Sequence, residues 1–392
     1  LASNVADTWF ASALKISQQG GPVQALRLQL RLHDVSNASA PWCGLDPRLL
    51  SACVESIYTT SPSCGCWVPV WSHKVELTVQ AVIFQDSHDR CLLGFSGQVD
   101  GEKKWKNDPV AYIVDHDSGV YRRLCEHSTM RGFITSAKKF FTSAGWAWGA
   151  KFLSSGQCSA GIALTGTSLG AVVAELLAGC ANRGLLSELQ GESLPAFHIQ
   201  HLTTFGSPPT ALSPIDNALR SDRCFPGHRI YRCSNSSAVG NTDLVAFSSA
   251  FQGFVHPRQS AMQLIELPDG SYDVQVYPCE DMDTTTVPTW MDLQPYLNRQ
   301  REKHGLTFVF ETLRQIEDNH LIAYYNDSLE KVRPDKLERL DFRFSRFSNI
   351  STVHELGHEL HTSSSQAMNV TEVDSQTKEL LLNVSAMVAA ER

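Results

Sequence analysis

Apolar and polar residues alternate early in the chain. Leu26, Leu28, Leu30 and Leu32 are separated by Arg27, Gln29 and Arg31, a period of two that predicts a half-buried strand. The stretch from Cys43 to Cys66 has no such period and predicts loops. Two strand-like runs follow, Val75 to Phe84 and Cys91 to Phe95, joined by the polar turn Gln85-Asp86-Ser87-His88-Asp89. From Arg131 the period lengthens, and Phe133, Ala137, Phe140, Phe141 and Trp146 recur at helical spacing. Ile162 to Thr165 is a short apolar strand. Gly166-Thr167-Ser168-Leu169-Gly170 comes next, and Ala171 to Cys180 has the pattern of a buried helix rich in small residues.

A strand precedes Gly206-Ser207-Pro208-Pro209, and another spans His228 to Cys233. Met262 to Val276, broken at Pro268-Asp269-Gly270, predicts a β-hairpin. Strands alternating with helices predict an α/β fold with a mostly parallel central sheet flanked by helices. The expected organisation is a Cys-rich N-terminal segment at 1–70 packing on the main domain, an α/β domain at 71–332, and a C-terminal extension at 333–392. The last stretch of that extension, Val373 to Arg392, has an amphipathic helical pattern.

Composition narrows the class. With 392 residues, 42% of them hydrophobic and 19% charged, the chain can bury a large core, which excludes disordered, collagen-like and coiled-coil proteins. A net charge of −8 argues against a nucleic-acid partner. No run approaches the ~18 apolar residues that a transmembrane helix requires. Eleven cysteines without a C-x-x-C pair argue against a zinc ribbon or a thioredoxin-like site. Six N-x-[S/T] sequons, at Asn37, Asn235, Asn326, Asn349, Asn369 and Asn383, join them in predicting a secretory-pathway protein with disulfides of open connectivity. The chain opens at Leu1 rather than Met, as expected of a processed chain or a fragment, from which any signal peptide would already be missing.

The strand–turn–helix around Ser168 fits the G-x-S-x-G elbow. Its glycines permit a tight turn, and the helix N-terminus behind the serine offers unpaired N–H groups to an oxyanion. A serine near neutral pH needs a base, and the base needs an orienting carboxylate; in such folds both follow the serine in the chain. Asp243, set between Thr242 and the apolar Leu244-Val245 after a predicted strand, is the favoured acid, with Asp216 as rival. Of the downstream histidines, 256, 304, 320, 354, 358 and 361, His320 stands where a polar loop meets the stripe Leu321-Ile322-Ala323-Tyr324-Tyr325, and is the favoured base.

These blocks together resemble the class 3 lipase family, the fungal-type triacylglycerol lipases of the α/β-hydrolase superfamily, over roughly residues 75 to 330. The matching segments are Arg131-Gly132-Phe133, Leu164 to Ala171, Thr204 to Pro208, Tyr231-Arg232 through Asp243-Leu244-Val245, Phe254 to Pro257, and Asn319-His320-Leu321 through Tyr324-Tyr325. The resemblance implies an α/β-hydrolase fold and hydrolysis of lipid esters at a lipid–water interface through Ser168, His320 and Asp243. It also implies an oxyanion hole from the N–H groups of Leu169 and Gln98, and a lid at Val99 to Asp108 with Trp105 as a candidate anchor. No metal or organic cofactor is implied, and the oligomeric state stays open. Two departures stand out: Phe95-Ser96-Gly97-Gln98 replaces the family's F-R-G-T/S, and Thr167 replaces the usual His.

Two rival classes are carried alongside. His354-Glu355-Leu356-Gly357-His358 fits the H-E-x-x-H zinc motif, with Glu379 as a third ligand, although little chain remains to complete such a site. A noncatalytic α/β-hydrolase-fold binding protein is the other, prompted by the altered oxyanion loop.

Overall fold

The computed structural model describes residues 43–75, 79–97, 121–191, 196–234, 243, 245–247, 254–279, 320–332 and 336. The expected strand at Leu26–Leu32, Gln98, the lid segment with Trp105, the His354–His358 motif with Glu379, and the tail helix lie outside these residues.

An eight-stranded mixed sheet organises the main body. Its strands are β1 (Val68–Lys74), β2 (Gln80–Gln85), β3 (Arg90–Phe95), β6 (Gly161–Thr167), β7 (His201–Phe205), β8 (Phe225–Ser234), β9 (Gln259–Glu266) and β10 (Tyr272–Tyr277), in that spatial order. The block β3-β6-β7-β8-β9 is parallel, and antiparallel pairs close it on both sides. A separate two-stranded ribbon, β4 (Tyr121–Leu124) with β5 (His127–Met130), lies outside this sheet.

Both faces of the sheet are covered. Ala81, Ile83, Leu93 and Phe95 face α2 (Arg131–Phe141), α3 (Ala144–Ser154) and α4 (Leu169–Asn182), which the short α5 (Leu186–Gln190) follows. Val82, Phe84, Leu92, Phe205 and Ile230 face α1 (Pro47–Ser56) and α6 (Ile322–Glu330). The alternation within β2 and β3 follows from the strand period of two. Inner strands of a sheet covered on both sides are buried at every position, as β3, β6 and β7 are, and their polar residues, such as Thr165 and Thr203, are buried with the rest. Each buried Phe or Leu here contributes about 1.5–3 kcal/mol.

Two elements depart from the sequence pattern. The stretch expected to be loops holds α1, started by Pro47 and capped by the Asp46 carboxylate, which accepts from the Arg48 N–H at 2.6 Å. The run expected from Val75 to Phe84 begins as a strand at Gln80, and the preceding strand, β1, is an outer strand with half-buried positions that show no alternation.

Five disulfides join Cys43–Cys66, Cys53–Cys64, Cys91–Cys158, Cys125–Cys180 and Cys224–Cys279, leaving Cys233 as the eleventh cysteine. The first two nest around α1. The bridge across 67 residues, Cys91–Cys158, ties β3 to the turn before β6 and stabilises by about 4 kcal/mol on the chain-entropy estimate. No helix among the described residues is long and apolar enough to cross a membrane.

Candidate active site

Ser168 sits between the end of β6 and the start of α4 at φ 54°, ψ −129°. This is a strained conformation for a residue with a Cβ. Its N–H is held by the Phe205 carbonyl at the end of the neighbouring β7, at 3.1 Å, and its carbonyl accepts from Ala171 and Val172 in the first turn of α4. The strand β6 therefore turns directly into the helix, and the side chain is presented at the carboxyl edge of the parallel block. Open α/β sheets bind ligands at that edge. Gly170 is required for close approach: a Cβ there would lie 1.9 Å from the Ser96 carbonyl oxygen. The β3 exit loop thus rests directly on the start of α4.

That loop carries the candidate oxyanion segment. Ser96, which stands where the resembled family has Arg, is fully buried. Its hydroxyl accepts the Gln80 N–H at 2.9 Å and donates to the Gly97 carbonyl at 2.8 Å, so it binds the loop to β2. The Gly97 N–H donates to the Tyr58 hydroxyl at 2.6 Å. A Cβ on Gly97 would lie 2.8 Å from that hydroxyl and 3.2 Å from Ser168 Cβ, so the two side chains flank one backbone position. Tyr58 belongs to the turn after α1, and burial of its hydroxyl pushes the phenol pKa up although the residue is half exposed. Leu169 is the first residue of α4, where helix geometry leaves backbone N–H groups without intrahelical partners.

Asp243 and His320, 77 residues apart, meet at the same edge. Nδ1 of His320 lies 3.0 Å from each oxygen of the Asp243 carboxylate. An ionised carboxylate only accepts, so Nδ1 carries the proton and a neutral ring keeps its lone pair on Nε2. That Nε2 is buried and has no hydrogen-bond partner among the described residues. Asp243 is fully buried and satisfied: it also accepts from the Val245 N–H at 3.0 Å and from the Tyr325 hydroxyl at 2.5 Å. Its own N–H is fixed to the Arg232 carbonyl of β8 at 3.1 Å.

Gly206 joins the two halves. It follows Phe205, the acceptor of the Ser168 N–H, and adopts φ +58°. A Cβ at this position would meet Asp243 Oδ2 at 2.5 Å, the Tyr325 hydroxyl at 3.0 Å and His320 Cε1 at 3.1 Å. The acid–histidine pair therefore packs on the residue next to the one that holds Ser168.

Asp216, the rival acid, is elsewhere: it pairs with Arg183 and, at 2.9 Å, with Arg223. His256 is buried with Nε2 3.1 Å from the Ala246 carbonyl, and burial holds its pKa well below the ordinary imidazole value. Tyr325 and Tyr58 were not singled out from the sequence as site residues. Tyr325 passes for one member of an aromatic stripe, and Tyr58 precedes the oxyanion loop by 39 positions. Among the described residues no cluster of His, Cys, Asp and Glu has the makings of a metal site.

The mixed sheet covered by helices on both faces, with a strand–serine–helix elbow and an acid–histidine pair at one carboxyl edge, is an α/β-hydrolase architecture. No protein-family model matches the chain, and no curated protein matches it in sequence. Among solved structures it is similar to the lipase from Rhizopus microsporus var. chinensis, at 17% identity and TM-score 0.38, over 59% of this chain and 76% of that one. The Rhizomucor miehei lipase in its propeptide complex gives 17% identity and TM-score 0.39, over 62% and 76%. The Lip2 lipase of Yarrowia lipolytica gives 15% identity and TM-score 0.38, over 60% and 86%.

Proposed function

We propose that the protein is a serine carboxylic-ester hydrolase that acts on lipid esters. The observation that carries this reading is the grip of both Asp243 oxygens on His320 Nδ1, beside the elbow that presents Ser168. In the proposed reaction Ser168 Oγ attacks the ester carbonyl while His320 Nε2 takes its proton. Asp243 holds the reactive tautomer and stabilises the imidazolium. The imidazolium then protonates the departing alcohol. Water, deprotonated by the same Nε2, attacks the acyl-enzyme and releases the carboxylic acid.

The oxyanion formed at each addition step is assigned to the N–H groups of Leu169 and Gln98. Each such donor is worth about 2.7–4 kcal/mol in rate. Two exposed apolar side chains support a lipid rather than a small polar ester: half-exposed Tyr58 above Gly97, and Leu321, 43% exposed, next to His320. Secretion is proposed on the strength of the disulfides, which persist in oxidising compartments. The Asn326 sequon adds nothing to it, because its amide donates to Glu55 and accepts from Ser51 inside α6.

Purified protein is expected to hydrolyse p-nitrophenyl butyrate and emulsified triacylglycerol, and to be labelled stoichiometrically by a fluorophosphonate. Ser168→Ala is expected to lose both while melting cooperatively. A folded wild-type protein that is neither active nor labelled would identify a noncatalytic member of this architecture instead.

A further inference from the structure

Behind the elbow lies a second polar group that the proposed reaction does not use. Glu175 is the only charged residue of α4, two turns beyond Ser168, and it is fully buried. Its carboxylate accepts a short hydrogen bond from the Thr210 hydroxyl, and the hydroxyls of Ser207 and Thr204 also bear on it. On the sheet face that α4 covers lies Arg229 of β8, also fully buried. Arg229 is the register partner of Thr204, so both project from the sheet side by side toward the same helix. No nitrogen of the Arg229 side chain finds a hydrogen-bond partner among the described residues. Its charge is met by the Tyr231 ring at 4.9 Å and by the field of Glu175, and it acts in turn on Glu175 and His256.

Between a buried charge and an opposite one the local dielectric is low, and the attraction is felt over a longer range than in water. The two elements it joins are specific. The helix α4 begins directly after Ser168, and β8 leads to Asp243, whose N–H is fixed to the β8 carbonyl of Arg232. The Thr210 end of the same network closes the loop that starts at Gly206, on which Asp243, Tyr325 and His320 pack.

We propose that Glu175 and Arg229 are a positioning pair: their attraction across the seam between α4 and β8 holds the Ser168 end of one element in register with the Asp243 end of the other. This role rests on the ester-hydrolase reading. The pair works when the Glu175 carboxyl is ionised, and protonation removes its attraction for Arg229. Burial pushes that carboxyl up to about 7, against the smaller opposing pull of Thr210, Ser207, Arg229 and Thr204. The turnover of the enzyme therefore carries an ionisation that belongs neither to His320 nor to Asp243.

The test is kcat and KM for p-nitrophenyl butyrate between pH 5.5 and 9, for wild type, Glu175→Gln, Arg229→Met and the double variant. Glu175→Gln is near-isosteric and still accepts from Thr210. It is expected to lower kcat roughly tenfold above pH 7 with KM unchanged, a loss equivalent to about 1.4 kcal/mol, and to remove one ionisation from the kcat profile. The double variant is expected to be no slower than the slower single one. Thr210→Val takes the place of Arg229→Met if the latter does not fold; losing a donor to the carboxylate, it is expected to move the ionisation to higher pH. A Glu175→Gln profile superimposable on wild type overturns the proposal, as do losses that multiply in the double variant. Absence of hydrolysis by the wild type is a different result, and sinks the reading of the site itself.

Discussion

The phenolic hydroxyl of Tyr325 donates to Asp243 Oδ2 at 2.5 Å, and Asp243 in turn holds His320. The carboxylate is thereby held by a second side chain besides the imidazole. Tyr325 is fully buried, and burial together with the Asp243 charge keeps its proton in place far above neutral pH. Tyr325→Phe keeps the ring that packs edge-on against Phe205 and removes the hydroxyl alone. Leaving a buried carboxylate oxygen one donor short costs about 1–3 kcal/mol. The expected outcome is a lower melting temperature and a roughly tenfold fall in kcat, measured by thermal unfolding and p-nitrophenyl ester hydrolysis. Unchanged values in both would separate Tyr325 from the site.

Tyr58 is the corresponding anchor on the oxyanion side. Tyr58→Phe strips the acceptor from the Gly97 N–H. A roughly tenfold drop in kcat is expected with little change in KM, because the loop position matters most when the oxyanion forms. A rise in KM at constant kcat would mark Tyr58 as a substrate contact instead.

Ser168 holds a positive φ that glycine adopts without strain. Ser168→Gly is expected to abolish hydrolysis and to stabilise the fold by ~1 kcal/mol, within the 1–3 kcal/mol range of stored backbone strain. Calorimetric melting of the two proteins checks this; a destabilised glycine variant would contradict it.

Stability is expected to depend on pH in two opposing ways. Glu175 is raised from 4.5 to about 7 in the fold. The native state then keeps a proton that the unfolded chain has lost, so this contribution is full below pH 4.5 and disappears as pH climbs through 7, a change of roughly 3 kcal/mol. Three histidines behave oppositely. Burial depresses His127 and His228 to about 4 and His201 to about 3. Their contribution is present above pH 6.5 and is lost as acid drives protons onto the unfolded chain first. Urea unfolding at pH 5 and 8 is expected to give a smaller alkaline loss in Glu175→Gln than in wild type.

The pattern of hydrophobic positions carried much of the architecture. The apolar strand before Gly166 and the small-residue helix after it are strong local signals, and both elements form: β6 over Gly161–Thr167 and α4 over Leu169–Asn182. The Pro268-Asp269-Gly270 break marks a hairpin because Asp269 caps its own turn through Ser271. The edge strand β1 was hidden because an outer strand needs no alternation, and α1 because its cysteines and polar residues mask one narrow apolar face formed by Leu50, Cys53 and Val54.

At the site, the elbow and the order Ser, Asp, His were legible from motif and position, and the structure brings Asp243 and His320 together. What supports them was not. Tyr325, Tyr58 and Glu175 act through contacts made across 82, 39 and 35 positions, and a long-range contact leaves no periodic trace in the chain.

The helix α1 touches both halves of the candidate site. Its far end leads to Tyr58, which steadies the β3 exit loop, while its first turn sends Arg48 to the carbonyls of Leu329 and Val332 that close α6, the helix His320 leads into. Two nested sulfur bridges hold this helix in shape. A mild thiol reagent is therefore expected to loosen the mouth before the sheet melts: Leu50, Cys53 and Val54 still pack on the sheet once the bridges open, but the turn that carries Tyr58 loses the crosslinks that set its place.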